Sequence, residues 1–427
     1  MKQFTAILQR IWANREVRKK VLFTAAIFFI FRFLAHLPVP AVNIAQLKVI
    51  FASSQLLNVL NIFSGGTLAN FSVMAVGINP YITASIIMQL AGMVFPALKE
   101  LQKESEAGRE KLNQYTRMLA VPIAVVQSIT VLTLLKSQSL LQTNNPLAII
   151  TMIFTLVAGS MVLMWLGELV SLYGIGNGIS MVLFAGIVGQ LPVAFARTIS
   201  VTTSQQLFQI GIFLGLFLGV IAIMVFMNEA VRKVQIQYAK RIRGERTLGG
   251  QTTHFPIRVN VAGVLPIIFA ISIMLVPTLL GRLMLAAPYQ QLHQLGQNLT
   301  VWFVQTSPIY IITYFIIVFA FTFFSALIFF NAEDISEELK KSGAFVPGIR
   351  PGGPTKKFLE YVVIRVTFVG ALFLGSIAIL PSIVQVFTQI NSLAIGGTSM
   401  LIVVSVVLET AKQIESMLVG ENYDKYI

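Results

Sequence analysis

The chain has 427 residues, of which 56% are hydrophobic and only 11% charged, and it carries a net charge of +14. A soluble domain of this length cannot bury so much apolar surface, so the composition excludes an ordinary globular enzyme and points to a polytopic membrane protein. The basic residues flank apolar runs instead of gathering on one domain, so topology and anionic headgroups explain the charge before nucleic acid does, with ribosomal RNA at the membrane surface as the exception worth keeping.

In chain order, runs apolar enough to form bilayer-crossing helices of about 20 residues fall near 21–37, 71–95, 118–135, 147–167, 179–196, 207–228, 262–281, 309–330, 360–380 and 399–418. Most Lys and Arg residues occupy alternate gaps between these runs. Arg15, Arg18, Lys19 and Lys20 lie before the first, Arg109, Lys111 and Arg117 between the second and third, and Arg241, Arg243 and Arg246 between the sixth and seventh. The eighth and ninth runs are separated by Lys340, Lys341, Arg350, Lys356 and Lys357. The other gaps carry only Lys48, Lys136, Arg197 and Arg282, while Arg32 and Arg365 lie inside apolar runs. Basic residues in short loops stay cytoplasmic during insertion, so both termini are expected on that side and the span count is even. The first basic region leads into a run ending in Leu37-Pro38-Val39-Pro40 without a small-residue cleavage site, so a retained first span is expected. All seventeen acidic residues fall in cytoplasmic gaps or at the cytoplasmic ends of spans, as with Glu168, Glu229 and Glu409. An ion-coupled transporter usually buries a carboxylate at mid-depth instead.

Three gaps have a pattern of their own. Residues 38–70 end in Asn61 to Asn70 (NIFSGGTLAN), too polar to span and too apolar for a solvated loop, which suits a short helix folded into the protein or lying at the interface. Residues 229–260 hold the alternating segment Val234–Tyr238, then a basic turn-rich stretch from Lys240 to Gly250 and a second short strand at Thr253–Val259, and predict a projecting hairpin. Residues 331–356 begin with the acidic Glu333–Glu338, expected to continue a helix out of the membrane, then turn repeatedly at Gly343, Pro347-Gly348 and Pro351–Pro354. The chain has no cysteine, hence no thiol chemistry, and it shows no phosphate-binding glycine loop, metal-ligand spacing or nucleophile–base set, so neither catalysis nor a cofactor is expected.

Five segments, in order and in the right alternation of membrane and loop, carry a resemblance. They are Gly77–Gln89 (GINPYITASIIMQ), Tyr173–Ser180 (YGIGNGIS), His254–Phe269, Phe345–Gly352 (FVPGIRPG) and Gly396–Ile402 (GGTSMLI). Together they resemble the SecY/Sec61-alpha family of protein-conducting channel subunits over nearly the whole chain. The resemblance implies an all-α polytopic membrane protein, an hourglass channel of ten transmembrane helices in two inverted five-helix halves with a re-entrant plug helix. The halves would be residues 1–196, with the plug at about 62–73, and 197–427, with cytoplasmic loops at about 229–260 and 331–356. An odd number of spans per half is what inverts the second half.

The implied function is passage of unfolded secretory polypeptides across the cytoplasmic (inner) membrane, and lateral release of membrane helices between the second and seventh spans. Such a pore must accept any side chain and still resist ion leakage, which a narrow aliphatic ring achieves. By resemblance the ring is Ile82, Ile86, Ile179, Leu183, Ile268 and Ile402, with Leu183 in place of the family's isoleucine; the pairs 82/86 and 179/183 each share one helical face. The plug would include Ile62, Phe63, Ser64, Gly65, Gly66 and Leu68. Gln89, Gln127, Ser128 and Ser272 are polar residues on the spans of the lateral gate, where they either pair across it or make ordinary interhelical bonds. Arg350 stands where the family engages the SecA motor ATPase, and Arg241, Arg243 and Arg246 crown the loop used with SecA or the ribosome. SecE and SecG as companion subunits, signal sequences, nascent polypeptides and the lipid bilayer complete the implied partners. The rival reading is a secondary transporter of small solutes. The charge alternation makes its own prediction: a reporter fused after residue 250 will be cytoplasmic and one after residue 290 external, and reversal at either point in a protease-protection assay would overturn the ten-span topology.

Overall fold

The computed structural model describes residues 9, 11–40, 42–44, 46–47, 61, 64–103, 106–137, 140–141, 145–201, 207–238, 241–243, 246–248, 252–261, 263, 265–285, 289–388 and 397–424. They pack as two compact units, one of residues 1–208 with 389–427 and the other of residues 209–388.

The first unit contains α1 (Arg15–Leu34), α2 (Asn79–Val94), α3 (Pro96–Lys103), α4 (Glu106–Ser137), α5 (Pro146–Tyr173), α6 (Gly178–Val201) and α13 (Gly397–Asp424). Polar caps start several of these helices. Asn14 Oδ1 accepts from the amides of Glu16 and Val17, and Asn145 caps α5 just before Pro146, a residue well suited to a first helical position. Helix α1 packs on α5 and α6, α2 on α4, α4 on α5, α5 on α6, and α13 on α6. Glycines set the closest approaches. A Cβ on Gly178 would lie 1.6 Å from the Gly167 carbonyl oxygen, and one on Gly159 would lie 1.9 Å from that of Val73. At the polar end of the α4–α5 pair, Arg117 Nε meets Glu168 Oε1 at 2.6 Å.

The second unit contains α7 (Leu207–Glu229), whose first two residues fall in the other unit, and then β1 (Val231–Tyr238), β2 (Arg241–Arg243), β3 (Arg246–Leu248), β4 (Thr252–Arg258), α8 (Leu265–Leu285) and α9 (Gln290–Trp302). It continues through α10 (Pro308–Phe329), α11 (Ala332–Lys341), β5 (Ala344–Phe345) and α12 (Gly353–Thr388). Helix α10 packs along α12, where Phe315, Phe319, Phe323 and Phe368 form a chain of ring contacts 5.2–6.5 Å apart. The expected hairpin is present. Strand β1 pairs antiparallel with β4, β5 adds to the other edge of β1, and β2 with β3 forms a separate ribbon toward the tip.

Among the described residues, the stretches Glu110–Thr133, Pro146–Tyr173, Pro308–Lys341 and Gly353–Leu380 are long and apolar enough to cross a bilayer. The run at 71–95 is not one continuous helix. Residues 64–77 form successive turns, with positive φ at Gly65, Gly66, Phe71 and Gly77, and α2 starts only at Asn79, next to Pro80. The acidic segment after α10 is likewise a separate helix and not a continuation. Phe330 leaves helical geometry, and Asn331 restarts it by accepting from the amides of Glu333 and Asp334.

Because Gly159 lies against backbone that cannot yield, Gly159→Val will lower the thermal unfolding midpoint of the detergent-purified protein by an amount corresponding to roughly 2 kcal/mol or more. Ala158→Val, at the exposed neighbouring position on the same helix, will leave the midpoint nearly unchanged. Equal effects from the two variants would contradict the packing described.

Candidate functional site

Helix α2 presents Ile82 and Ile86 on one face, and both are buried, at 4% and 7% exposure, whereas adjacent Ile87 is 42% exposed. Helix α6 begins where Asn177 Oδ1 accepts from the amides of Ile179 and Ser180, which places Ile179 in the first turn and Leu183 one turn further. Leu183 is buried and Ile179 half-buried. On α13, which packs on α6, Ile402 is fully enclosed at 0%, while Val407 is 48% exposed. An isoleucine facing lipid would resemble Ile87; Ile82, Ile86, Leu183 and Ile402 are buried instead, and Ile179 is intermediate. Ile268, on α8 of the other unit, is also buried, at 5% exposure.

The glycine-containing segment lies inside the first unit. Ile62 and Phe63 fall outside the described residues, and Ser64 through Leu68 are buried turns with no helix among them, in place of the helix expected there. Its polar groups are answered internally. Ser64 Oγ donates to the Asn61 carbonyl, Thr67 Oγ1 to that of Ser64, and Asn61 Oδ1 accepts from the Ala69 amide. Gly65 approaches α6 so closely that a Cβ would lie 2.7 Å from Gly186 Cα, and a Cβ on Gly66 would overlap the Gln190 side chain. Positive φ at both positions adds a second reason for glycine.

Two donors that the motifs do not mark converge on this segment. Arg32 Nη1 donates to the Gly65 carbonyl at 3.1 Å and Nη2 to the Gly189 carbonyl, and Gln190 Nε2 also reaches Gly65 O at 3.3 Å. The signal for Arg32 was in the sequence, as a cation in an apolar run. Arg365, the other such residue, lies exposed over its own helix neighbour Tyr361 at 3.8 Å.

Three of the four polar residues expected at a gate bond within their own helices. Gln89 Nε2 donates to Ser85 Oγ, Ser128 Oγ to the Ala124 carbonyl, and Ser272 Oγ to that of Ile268. Gln127 is half-buried on α4.

In the second unit the two basic loops form one packed body. Val234 and Ile257 of the sheet, Ala332 of α11, Val346 of the turn, and Leu359 and Val363 of α12 share a core. The sequence already carried the reason, since the inward residues of β1 and the apolar face Ile335/Leu339 of α11 both require cover. Arg350 projects into solvent from a braced turn: Ser336 Oγ donates to the Gly352 carbonyl and Thr355 Oγ1 to that of Arg350 itself. In the β2–β3 ribbon the backbone register sets Arg243 opposite Arg246 and Arg241 opposite Leu248.

A buried aliphatic set, an enclosed glycine segment and a braced basic module can be compared with known proteins. A solved structure described as "The structure of a protein conducting channel" superposes with a TM-score of 0.62 at 17% identity, over 93% of this chain and 92% of that one. Sec61 in a canine ribosome-channel complex gives 0.59 at 16%, with the same coverage. At such identities the likeness establishes the fold. Sequence relatives named protein translocase subunit SecY are closer. The one from Streptomyces galbus is 39% identical over 98% of both chains, and that from Pseudomonas aeruginosa 40% identical over 98% of this chain and 93% of its own. Residues 72–411 match the SecY family pattern, and with relatives of this identity along nearly all of its length, the chain belongs to the SecY family.

Proposed function

We propose that this chain is the channel subunit of a protein translocase. It moves unfolded secretory polypeptides across the cytoplasmic membrane and releases membrane-protein helices sideways into the bilayer. The observation that carries this reading is the end-to-end match to relatives named protein translocase subunit SecY. The solute-transporter alternative has no comparable support, and the positions of the carboxylates argue against it.

Within this reading Ile82, Ile86, Ile179, Leu183, Ile268 and Ile402 form the constriction, and residues 64–68 belong to the plug beside it. Gln89, Gln127, Ser128 and Ser272 border the lateral gate between α2 and α8. The chain crosses the bilayer ten times as two inverted halves, 1–196 and 197–427, with both termini cytoplasmic, as the charge alternation supports. SecE and SecG accompany it. The braced Arg350 turn and the Arg241, Arg243 and Arg246 ribbon receive SecA and the ribosome, and the ribosome-bound Sec61 relative favours the latter contact. An aliphatic ring suits the task because it dewets when empty and packs without preference around a moving chain.

Reconstitution tests the whole reading. Proteoliposomes holding the complex will import a secretory polypeptide when given SecA and ATP, and failure there with uptake of a small solute instead would favour the rival. In planar bilayers Ile402→Asn will raise resting ion conductance several-fold by hydrating the constriction, whereas wild-type conductance would remove Ile402 from the pore. Arg350→Glu will slow SecA-dependent translocation while leaving thermal stability within about 0.5 kcal/mol of wild type, as expected for an exposed loop charge. Unchanged translocation would assign that turn a purely structural role.

A further inference from the structure

Arg32 occupies the last turn of α1, a favourable place for a cation, yet its guanidinium is directed inward at two neutral carbonyls. One belongs to Gly65 of the buried segment and the other to Gly189 of α6. The surroundings are shaped for the group. A Cβ on Gly189 would lie 2.2 Å from the guanidinium, so a larger residue there would displace Arg32 from its present position, and one turn earlier a Cβ on Gly186 would lie 2.7 Å from the Gly65 backbone. Pro192 lies within α6 and, lacking an amide proton, cannot donate to the Val188 carbonyl one turn back. Gln190, on that turn, adds its own bond to Gly65 O.

We propose that Arg32 is a latch that holds residues 64–68 against α6 at rest, so that the segment leaves only when the Gly65 bond to its guanidinium is given up. The proposal rests on the channel reading and adds a positioning residue to it. Two properties suit a latch. The planar fork of arginine reaches two separate acceptors at once, which the point charge of lysine does not reproduce. Its acceptors are uncharged, so water entering a widening funnel can replace them without separating an ion pair. Helix α6, which contributes the Gly189 carbonyl, also carries Ile179 and Leu183, so the latch and two of the five proposed ring residues on the first unit share one support.

The protein has no native cysteine, so a single thiol can report release. Thr67 is fully buried in the segment, and Thr67→Cys in the assembled complex, in proteoliposomes, provides the probe for a polar maleimide. Adding Arg32→Met will speed labelling about tenfold, the effect expected from losing charge-assisted bonds that oppose local opening. Arg32→Lys will fall between the two, and Phe29→Leu, at an exposed position on α1, will match the parent. Equal rates for Arg32→Met and the parent would overturn the latch, as would a rise in Phe29→Leu as large as that in Arg32→Met. If Arg32→Met does not assemble, Arg32→Lys decides, and a rate equal to the parent rejects the proposal. Labelling requires no transport. A parent complex that moves no polypeptide would therefore refute the channel reading while leaving the latch to be judged on the labelling rates alone.

Discussion

At bilayer depth no water is available to an unpaired amide or carbonyl, so backbone can leave helical geometry only where the protein supplies every partner. Asn61 and residues 64–77 are built around this constraint. Side chains of Asn61, Ser64 and Ser72 answer nearby amides, Ser160 of α5 reaches the Gly77 carbonyl, and residues 37–39 pair with 71–73 as a single bridge. Arg32 and Gln190 then answer the Gly65 carbonyl from two helices. The arrangement of α1, α5 and α6 follows, because each must come close enough to contribute its donor or its bare glycine.

The same constraint explains what could be read from the sequence and what could not. Runs of apolar residues announced the helices, since a bilayer imposes length and composition. Alternation in Val234–Tyr238, with a second short apolar segment at Thr253–Val259 beyond a basic tip, announced the hairpin, since one face was to be covered. The start of α2 was hidden, because Phe71 to Ile78 are as apolar as the helix that follows. Only the turn-forming glycines and Pro80 mark the boundary, and composition does not weigh them. Asn331 was hidden in the same way, because a single capping side chain restarts a helix that hydropathy reads as continuous.

The candidate site divided along similar lines. The aliphatic positions Ile82, Ile86 and Ile402 are unremarkable residues for a membrane helix, and only the surrounding motifs distinguished them; they are buried, as many other aliphatic residues of the chain are. Arg32 was the reverse case, conspicuous in an apolar run but without a partner visible in the sequence, since Gly65 and Gly189 contribute backbone that leaves no trace in side-chain chemistry. That α11, the sheet and the Arg350 turn share one core also depended on distant pairing, in which two residues of β5 close the edge of β1.

Helix α12 runs for 36 residues from Gly353, directly beyond the Arg350 turn, and contains no proline between Thr355 and Leu380. At about 1.5 Å per residue, that uninterrupted portion is a rod on the order of 39 Å long. Its base is tied to the turn by the Thr355 hydrogen bond and to α11 by the Lys356–Glu333 ion pair at 3.0 Å, while Ser336 of α11 bonds the turn at Gly352. A helix this long, unbroken by proline and tied at its base, would carry a displacement of the Arg350 turn along its own axis toward the phenylalanine-packed α10–α12 pair.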